Sequence, residues 1–352
     1  MASSRTARSS RRLRTSAAAA VLTVAAAGLT ACAGTASGGA DTVTLALVAY
    51  STPQAAYQKI IAAFQATPAG KNVKFTQSYG ASGDQSRAVA AGQPADIVAF
   101  SLEPDVTRLV KANLVAADWN AGPQHGFVTD SVVVIATRKG NPKGIRNWDD
   151  LVKPGVSVIS PNPFTSGGAR WNVMAAYGAE SNKGADDAAG RAYLDKLFPQ
   201  IAVQDSSARA SLQTFVNGKG DAMIAYENDS IFAQQNGQGL DYTVPDSTIL
   251  IQNPVAVTST SRHPQQARAF LDFLYTPQAQ LIYAQNGYRP VVSGVGGPSF
   301  PTPANLFTID DLGGWTAVTK TFFDPTAGIV TRIEQRLGVV TAPKPTTSSS
   351  KP

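Results

Sequence analysis

The chain has 352 residues, of which 43% are hydrophobic and 15% are charged, and its formal net charge at pH 7 is +6. Five arginines near the N-terminus supply most of this charge, since removing five charges from +6 leaves +1. The basic balance therefore does not indicate a nucleic-acid-binding protein. Two histidines and a single cysteine leave little for a transition-metal site.

The first 31 residues have the pattern of a signal peptide. Arginines from Arg5 to Arg14 form a basic segment, and an apolar segment too short to span a bilayer follows. It ends in LTAC, Leu29 to Cys32, which resembles the lipobox in which the cysteine of bacterial lipoproteins is lipidated. We expect residues 1–31 to be removed and Cys32 to anchor the protein on the outer face of the plasma membrane. The alternative is an ordinary signal peptide with a chance cysteine.

Two segments without apolar periodicity flank the part of the chain that is expected to fold. Residues 32–41 are rich in small side chains, as in a flexible tether. Residues 341–352 are rich in Ser, Thr, Pro and Lys, a composition typical of disorder. The segment between them is too long for one hydrophobic core, which indicates two domains.

Strand patterns alternate with helix patterns through this segment. Predicted strands cover Thr42–Tyr50, Val73–Gly80, Ala95–Phe100, Ser131–Arg138, Val156–Ser160, Asp221–Tyr226 and Thr248–Ser259. Predicted helices include Pro53–Gln65, Asp84–Ala91, Pro104–Asn113, Ala169–Gly178, Ala189–Phe198 and Arg209–Gly218. The alternation is typical of an α/β fold with parallel strands and crossover helices. In such sheets ligands bind beyond the carboxyl ends of the strands, where the following helices begin.

Four strand-to-helix loops place small polar residues or glycine at a predicted helix start. They are Ser51–Thr52, Ser82–Gly83, Ser166–Gly168 and Ser206–Ser207, the last with Ser211 about one turn further. A single serine at such a place is usually only an N-cap. The recurrence, with glycines that let a ligand approach the backbone, favours an anion site. Three or four converging helix ends would supply roughly +1.5 to +2 of charge, which matches a doubly charged tetrahedral oxyanion.

The segment Asn162–Gly178, NPFTSGGARWNVMAAYG, resembles the signature of the sulfate-binding proteins of bacterial ABC importers. Other segments, such as NWDDLVKPGVSV from Asn147 and NGYRP from Asn286, resemble the same family in the same order, and the resemblance covers roughly 43–330. It implies an α/β, two-lobed periplasmic-binding-protein fold of type II, in which each lobe is a mostly parallel sheet flanked by helices. Sulfate would bind in the cleft between the lobes.

The resemblance also implies a domain division and partners. Residues 42–130 plus 254–340 would form lobe 1, and residues 131–253 would form lobe 2. The protein would be a monomeric binding protein without cofactor or enzymatic activity that delivers sulfate to the permease subunits of an ABC importer.

Residue by residue, the resemblance assigns the ligand contacts. They fall on Ser51, Ser82, Ser166, Gly167, Gly168, Tyr226 and, through a backbone N–H, Ser211. Ser51 stands where the family usually has aspartate, and Tyr226 where it usually has a tryptophan that donates its indole N–H. A tyrosine hydroxyl can donate but can also accept. Asp84 stands where the family often has lysine, and we expect it to face Arg87 or backbone N–H groups in the first turn of its helix.

Two arginines close to these loops are expected to contact the binding loops rather than the ligand itself. Arg170 and Arg209 fall just inside helix N-termini, where a cation is unfavourable unless it is paired. Asp205 and Glu227 are candidate partners. Both arginines would then hold the binding loops.

Several alternatives remain at this point. Thiosulfate, molybdate or tungstate, and phosphate are rival ligands for the same fold, with thiosulfate the nearest. A serine hydrolase would need a histidine base, but His125 and His263 lie in contexts typical of surface residues, and no G-x-S-x-G motif occurs.

Overall fold

The structure is a computed structural model that describes residues 42–339 and residue 341. The predicted signal peptide, the lipidation site Cys32, the tether and nearly all of the predicted tail lie outside the described residues. Within residues 42–339, no helix is long and apolar enough to cross a membrane.

The described residues form eleven strands and twelve α-helices that alternate along much of the chain. The strands are β1 Val43–Tyr50, β2 Val73–Gly80, β3 Ile97–Ala99, β4 Phe127–Arg138, β5 Val158–Ile159, β6 Ile201–Val203, β7 Ala222–Tyr226, β8 Leu240–Thr243, β9 Ser247–Val257, β10 Arg289–Pro290 and β11 Asn305–Phe307. The helices are α1 Gln54–Gln65, α2 Ser82–Ala90, α3 Glu103–Lys111, α4 Trp148–Leu151, α5 Gly167–Glu180, α6 Asp187–Leu197, α7 Ala208–Val216, α8 Glu227–Gln235, α9 Pro264–Leu274, α10 Pro277–Gln285, α11 Gly314–Phe323 and α12 Ile329–Arg336.

The strands pair in the order β2-β1-β3-β9-β4-β7-β5-β6. At one end of this order, β1 pairs in parallel with β2 and β3, and at the other end β5 pairs in parallel with β6 and β7. The long strands β4 and β9 lie between these two parallel blocks and pair antiparallel with each other and with their neighbours. The expected parallel sheets are thus present as two blocks on either side of β4 and β9.

Strand β4 begins at Phe127, four residues before the predicted start. Its first residues look like a loop in the sequence because Thr129 and Asp130 are polar. In the structure this part pairs with β9, and the Thr129 hydroxyl donates to the Asn253 side chain at 3.2 Å. The neighbouring strand thus satisfies the Thr129 hydroxyl, whereas Oδ1 of Asp130 is buried without a hydrogen-bond partner.

Two large hydrophobic cores pack against the two parallel blocks. One contains Phe64 of α1 and Phe270 of α9, whose ring centroids are 5.1 Å apart. The other contains Trp171 of α5 and includes the C-terminal helices, because Trp315 of α11 lies 4.7 Å from Trp171. Residues 305–336 therefore contact the core of the second block, whereas the sequence-based division grouped them with the first.

Helices begin after the carboxyl ends of strands, as the α/β pattern predicts. Helix α1 follows β1, α2 follows β2, α5 follows β5, and α7 follows β6. The side chains of Ser166 and Ser207 accept hydrogen bonds from the third N–H of α5 and α7 respectively, so both serines are N-caps. The fold thereby brings several helix N-termini to one edge of the sheet.

Candidate functional site

A small buried cavity lies where the N-termini of α1, α2, α5 and α7 meet. We call it the central cavity; the space open to the centre of a water-sized sphere is about 10 Å³. Five of the seven predicted ligand residues line it: Ser51, Ser82, Ser166, Gly168 and Tyr226. No lysine, arginine, aspartate or glutamate is among the lining residues. Its polarity therefore comes from helix ends and hydroxyl groups.

The start of α5 presents free donors to this cavity. Ser166 is in an extended conformation, and its Oγ accepts the N–H of Ala169 at 3.4 Å. The hydroxyl proton is not used in that bond and remains available to a ligand. The N–H groups in the first turn of an α-helix have no partner within the helix, which leaves those of Gly167 and Gly168 available as well.

Gly168 faces the central cavity directly. A Cβ atom built on it would lie 3.4 Å from Cε1 of Tyr226 and 3.5 Å from Cβ of Ala208 and Oγ of Ser166. These are contact distances rather than clashes, so the glycine is not required by packing. Its bare backbone is instead what keeps this part of the cavity open.

Gly167 does not line the central cavity but packs on the segment before α3. A Cβ on Gly167 would lie 2.8 Å from Cδ2 of Leu102 and 2.8 Å from Oγ of Ser101. The absence of a side chain lets the start of α5 approach this segment closely. Gly167 therefore has a steric role that the sequence did not separate from that of Gly168.

Ser82 lines the cavity, but its hydroxyl group is already used. Its Oγ donates to Asp105 at 2.6 Å and accepts the N–H of Ser101 at 2.9 Å. Arg108 pairs with Asp105 at 2.9 Å and compensates this buried carboxylate. At this position α2 can therefore offer a ligand the backbone N–H of Ser82 but not its hydroxyl, and the next N–H, that of Gly83, donates to the Thr165 carbonyl.

Ser211 is a correction to the sequence-based assignment. Its N–H donates to the Ser207 carbonyl at 3.0 Å within α7, and its hydroxyl donates to Asp205 at 3.1 Å. Ser211 lines a neighbouring cavity, whereas Ala208, the first residue of α7, lines both cavities. The free N–H groups of α7 are those of its first turn, one turn before Ser211.

Arg209 connects the start of α7 to the loop that precedes α1. Its guanidinium donates to the Thr52 carbonyl at 2.7 Å. Its backbone N–H donates to the Ser51 Oγ at 3.4 Å. The buried carboxylate of Asp229 lies 3.3 Å from the guanidinium. This contact compensates a cation that would otherwise be unfavourable at a helix N-terminus.

The partners suggested for the arginines from the sequence, Asp205 and Glu227, are wrong. Asp205 accepts hydrogen bonds from hydroxyl groups of α7, including that of Ser211. Glu227 is buried and binds Arg289 through two hydrogen bonds of 2.8 and 3.1 Å. The contact of Glu227 with Arg289 joins segments 62 residues apart, so local pattern could not reveal it, whereas Asp205 bonds hydroxyl groups only six and nine residues further on.

Arg170 lies behind the loop that leads into α5. Its Nε donates to the Pro163 carbonyl at 2.9 Å, and its guanidinium carbon is 4.7 Å from the ring centroid of Phe323. Burial lowers the pKa of Arg170 to about 10, so it is still charged at neutral pH. It is not among the residues that line the cavity and instead holds the preceding loop.

Tyr226 forms a hydrogen bond with a residue that the sequence analysis missed. Its hydroxyl lies 2.6 Å from the Oγ of Ser101, which also lines the cavity. Burial and the nearby Tyr50 raise the pKa of Tyr226 well above its usual value, so its hydroxyl stays protonated. The signal that could have found Ser101 is its place just after β3, which matches that of Ser51 after β1.

Asp84 does not reach the cavity. It lies in the first turn of α2, forms an ion pair with Arg87, and leaves about half of its side chain exposed, 49%. This agrees with the expectation that the acid would face Arg87. Its charge is consequently screened by solvent and by its partner.

The two histidines do not form part of this site. His125 and His263 line two different cavities, and neither contains the serines of the central cavity. Among residues 42–339, no group of three or more acidic, histidine or cysteine side chains could hold a metal ion. The site therefore has the chemistry of an anion receptor. Each helix end carries roughly half a positive charge, so four of them amount to about +2.

Comparisons with known proteins identify the family to which the chain belongs. The family model for bacterial extracellular solute-binding proteins matches residues 45–289. The sulfate-binding protein of Synechococcus elongatus is 41% identical over 81% of this chain and 85% of its own length. The thiosulfate-binding protein of Pseudomonas aeruginosa is 32% identical over 78% of this chain and 88% of its own.

A solved structure extends the comparison to the fold. The sulfate-binding protein SubI from Mycobacterium tuberculosis H37Rv superposes with a TM-score of 0.79 and 45% identity, covering 80% of this chain and all of that chain. The resemblance and the two-lobed type II fold expected from the sequence are thereby confirmed. The chain belongs to the bacterial extracellular solute-binding protein family and, within it, to the sulfate-binding proteins.

Proposed function

We propose that the protein binds sulfate in the central cavity, outside the cytoplasm, and delivers it to an ABC importer. The observation that carries the proposal is the meeting of four helix N-termini around a cavity with no charged lining side chain. Sulfate is a dianion with only acceptor atoms at neutral pH. Backbone N–H groups and hydroxyl protons can therefore satisfy all of its oxygens.

The proposed contacts come from both ends of the sheet. The starts of α5 and α7 supply N–H groups at Gly168 and Ala208, and α2 supplies the N–H of Ser82. Ser51 and Ser166 each accept an N–H through Oγ, which leaves their own protons to donate to the anion. This set replaces Ser211 with Ala208 and keeps the other predicted residues of the cavity wall.

We further propose that the two parallel blocks are the two lobes and that the central cavity lies in the cleft between them. Residues 42–130 and 131–253 would belong to different lobes as expected, and residues 305–336 would move with the second lobe because of their packing. Hydrogen bonds that cross this boundary support a closed arrangement. The N–H of Gly83 donates to the Thr165 carbonyl at 3.0 Å, and Arg209 donates to the Thr52 carbonyl.

Sulfate is expected to bind at least ten-fold more tightly than phosphate. Hydrogen phosphate carries a proton that needs an acceptor, but no carboxylate lines the cavity and the proposed contacts are all donors. A buried unsatisfied polar group costs roughly 1–3 kcal/mol, which corresponds to about one to two decades in affinity. Isothermal calorimetry with both anions measures the difference.

The same titrations at different pH values test the donor groups. The raised pKa of Tyr226 keeps its proton in place, so sulfate affinity should be nearly constant between pH 6 and pH 8. The matched variant Asp84→Ala should leave both affinities unchanged, because Asp84 is outside the cavity and pairs with Arg87. Comparable affinities for the two anions in the wild type, with phosphate binding lost in Asp84→Ala, would overturn the sulfate assignment.

Thiosulfate is the second candidate ligand, because a relative with 32% identity is named as a thiosulfate-binding protein. Its terminal sulfur is a weaker acceptor than oxygen, so a cavity made of donors should favour sulfate. Thiosulfate, included in the same calorimetric series, ranks the two anions. A tighter complex with thiosulfate would make it the physiological candidate.

We propose that the protein acts as a monomer and is anchored by lipid at Cys32, which stands in the LTAC motif after an apolar segment. Cys32→Ala is expected to remove the protein from the membrane fraction, either by releasing it or by blocking its processing. Thr35→Ala, three residues further on, is the matched control and should leave the distribution unchanged. Equal membrane fractions for Cys32→Ala and the wild type would contradict the anchor.

A further inference from the structure

We propose that Ser101 and Tyr226 act together as one adaptable hydrogen-bond donor to the bound anion. Whichever hydroxyl accepts the bond between them gives its own proton to the ligand. The inference rests on the proposed function, because it requires an anion in the central cavity. It assigns a binding role to Ser101 and makes the roles of the two residues interchangeable.

The geometry that carries the inference is the contact between the two hydroxyl groups. Their oxygens are 2.6 Å apart, both side chains are about 1% exposed, and both line the central cavity. Either oxygen can be the donor in this bond. Each hydroxyl has one proton and two lone pairs, so a bond between them uses one proton and leaves the other.

The surrounding groups fix the pair without using the remaining proton. The Ser101 carbonyl accepts from the indole of Trp171 at 2.8 Å and from the side-chain amide of Asn253 at 3.0 Å, while the Ser101 N–H donates to Ser82. The indole and amide N–H groups are donors and hold the Ser101 carbonyl. In the proposed arrangement the anion accepts the second hydroxyl proton.

The arrangement makes a specific prediction about redundancy. In Tyr226→Phe the Ser101 hydroxyl loses its partner but keeps a proton for the anion, and in Ser101→Ala the Tyr226 hydroxyl does the same. Each single variant should weaken sulfate binding by less than about three-fold. The double variant lacks both protons and should weaken it by about ten-fold or more, because an anion oxygen is then left unpaired.

A double-mutant cycle by calorimetry distinguishes this arrangement from its rivals. If the bond only tied together the two sides of the cavity, each single variant would lose as much as the double variant. If Tyr226 alone were the donor, Tyr226→Phe would match the double variant and Ser101→Ala would be silent. Either pattern overturns the inference. Tyr79→Phe, whose hydroxyl bonds Gln77 away from the cavity, is the control.

Two further readouts separate the possible failures. A wild type that does not bind sulfate would refute the proposed function itself, whereas a wild type that binds with a non-synergistic cycle refutes only the paired donor. Thermal melting without ligand shows whether a substitution damages the fold. Synergy in sulfate affinity, without matching synergy in melting temperature, is the result that supports the inference.

Discussion

Replacing Gly168 by aspartate is expected to abolish sulfate binding while the fold persists. A Cβ at this position meets Tyr226, Ala208 and Ser166 at 3.4–3.5 Å, so the backbone has room for a side chain. The carboxylate beyond it would enter the central cavity, close to the position proposed for the anion. Two like charges at 4 Å repel by about 4 kcal/mol in a partly screened site. This repulsion alone corresponds to about a thousand-fold loss of affinity.

Calorimetry with sulfate measures the loss of binding, and thermal melting without sulfate shows whether the fold persists. Gly122→Asp is the matched control, because nothing lies within 4 Å of a Cβ there and the residue is exposed. Gly168→Ala should have an intermediate effect, since it adds bulk without charge. Sulfate binding by Gly168→Asp within ten-fold of the wild type would show that α5 does not hold the anion.

Gly167→Val is expected to prevent closure of the cleft rather than to fill the cavity. The added side chain would start 2.8 Å from Leu102 and Ser101, which belong to the opposite proposed lobe. The open arrangement removes this overlap, so the folded lobes should persist. Sulfate should then make the wild type more compact but leave the radius of gyration of the variant unchanged. Affinity should fall with the lost contacts.

Small-angle scattering with and without sulfate provides the measurement. Gly296→Val, at an exposed glycine with nothing within 4 Å of its Cβ, is the matched control and should compact like the wild type. A variant that compacts normally, or whose ligand-free melting temperature falls sharply, would contradict the closure argument. Normal compaction would show that the neighbours of Gly167 move aside for the valine side chain. A sharp fall in melting temperature would show that close packing at Gly167 stabilises the fold itself.

The loops of the site could be predicted from sequence because helix starts have local chemical signatures. Ser166 and Ser207 are N-caps in the structure, and the helix after β2 begins at Ser82. An N-cap serine and the following free N–H groups lie within a few residues of one another, so sequence pattern is sufficient. The convergence of these starts follows from the α/β alternation.

The remaining features depend on information that is not local. Ser211 was assigned instead of Ala208 because a backbone donor has no side-chain signature, and a shift of one helical turn changes which N–H is free. The sequence could not show that the Ser82 hydroxyl is already used, because its bond to Asp105 joins two different helices. Ser101 follows a strand of only three residues, β3, without a glycine to draw attention to it.

The packing of the C-terminal helices has a consequence for measurement. Strand β1 contributes Leu45 to one core, and α12, the last described helix, contributes Ile333 to the other. Fluorophores near these two ends would therefore report relative motion of the cores without touching the central cavity. Cys32 is the only cysteine, so in a Cys32→Ala background single thiols can be introduced for labelling. A protein labelled in this way would report anion binding as a change in fluorescence, without any added reagent.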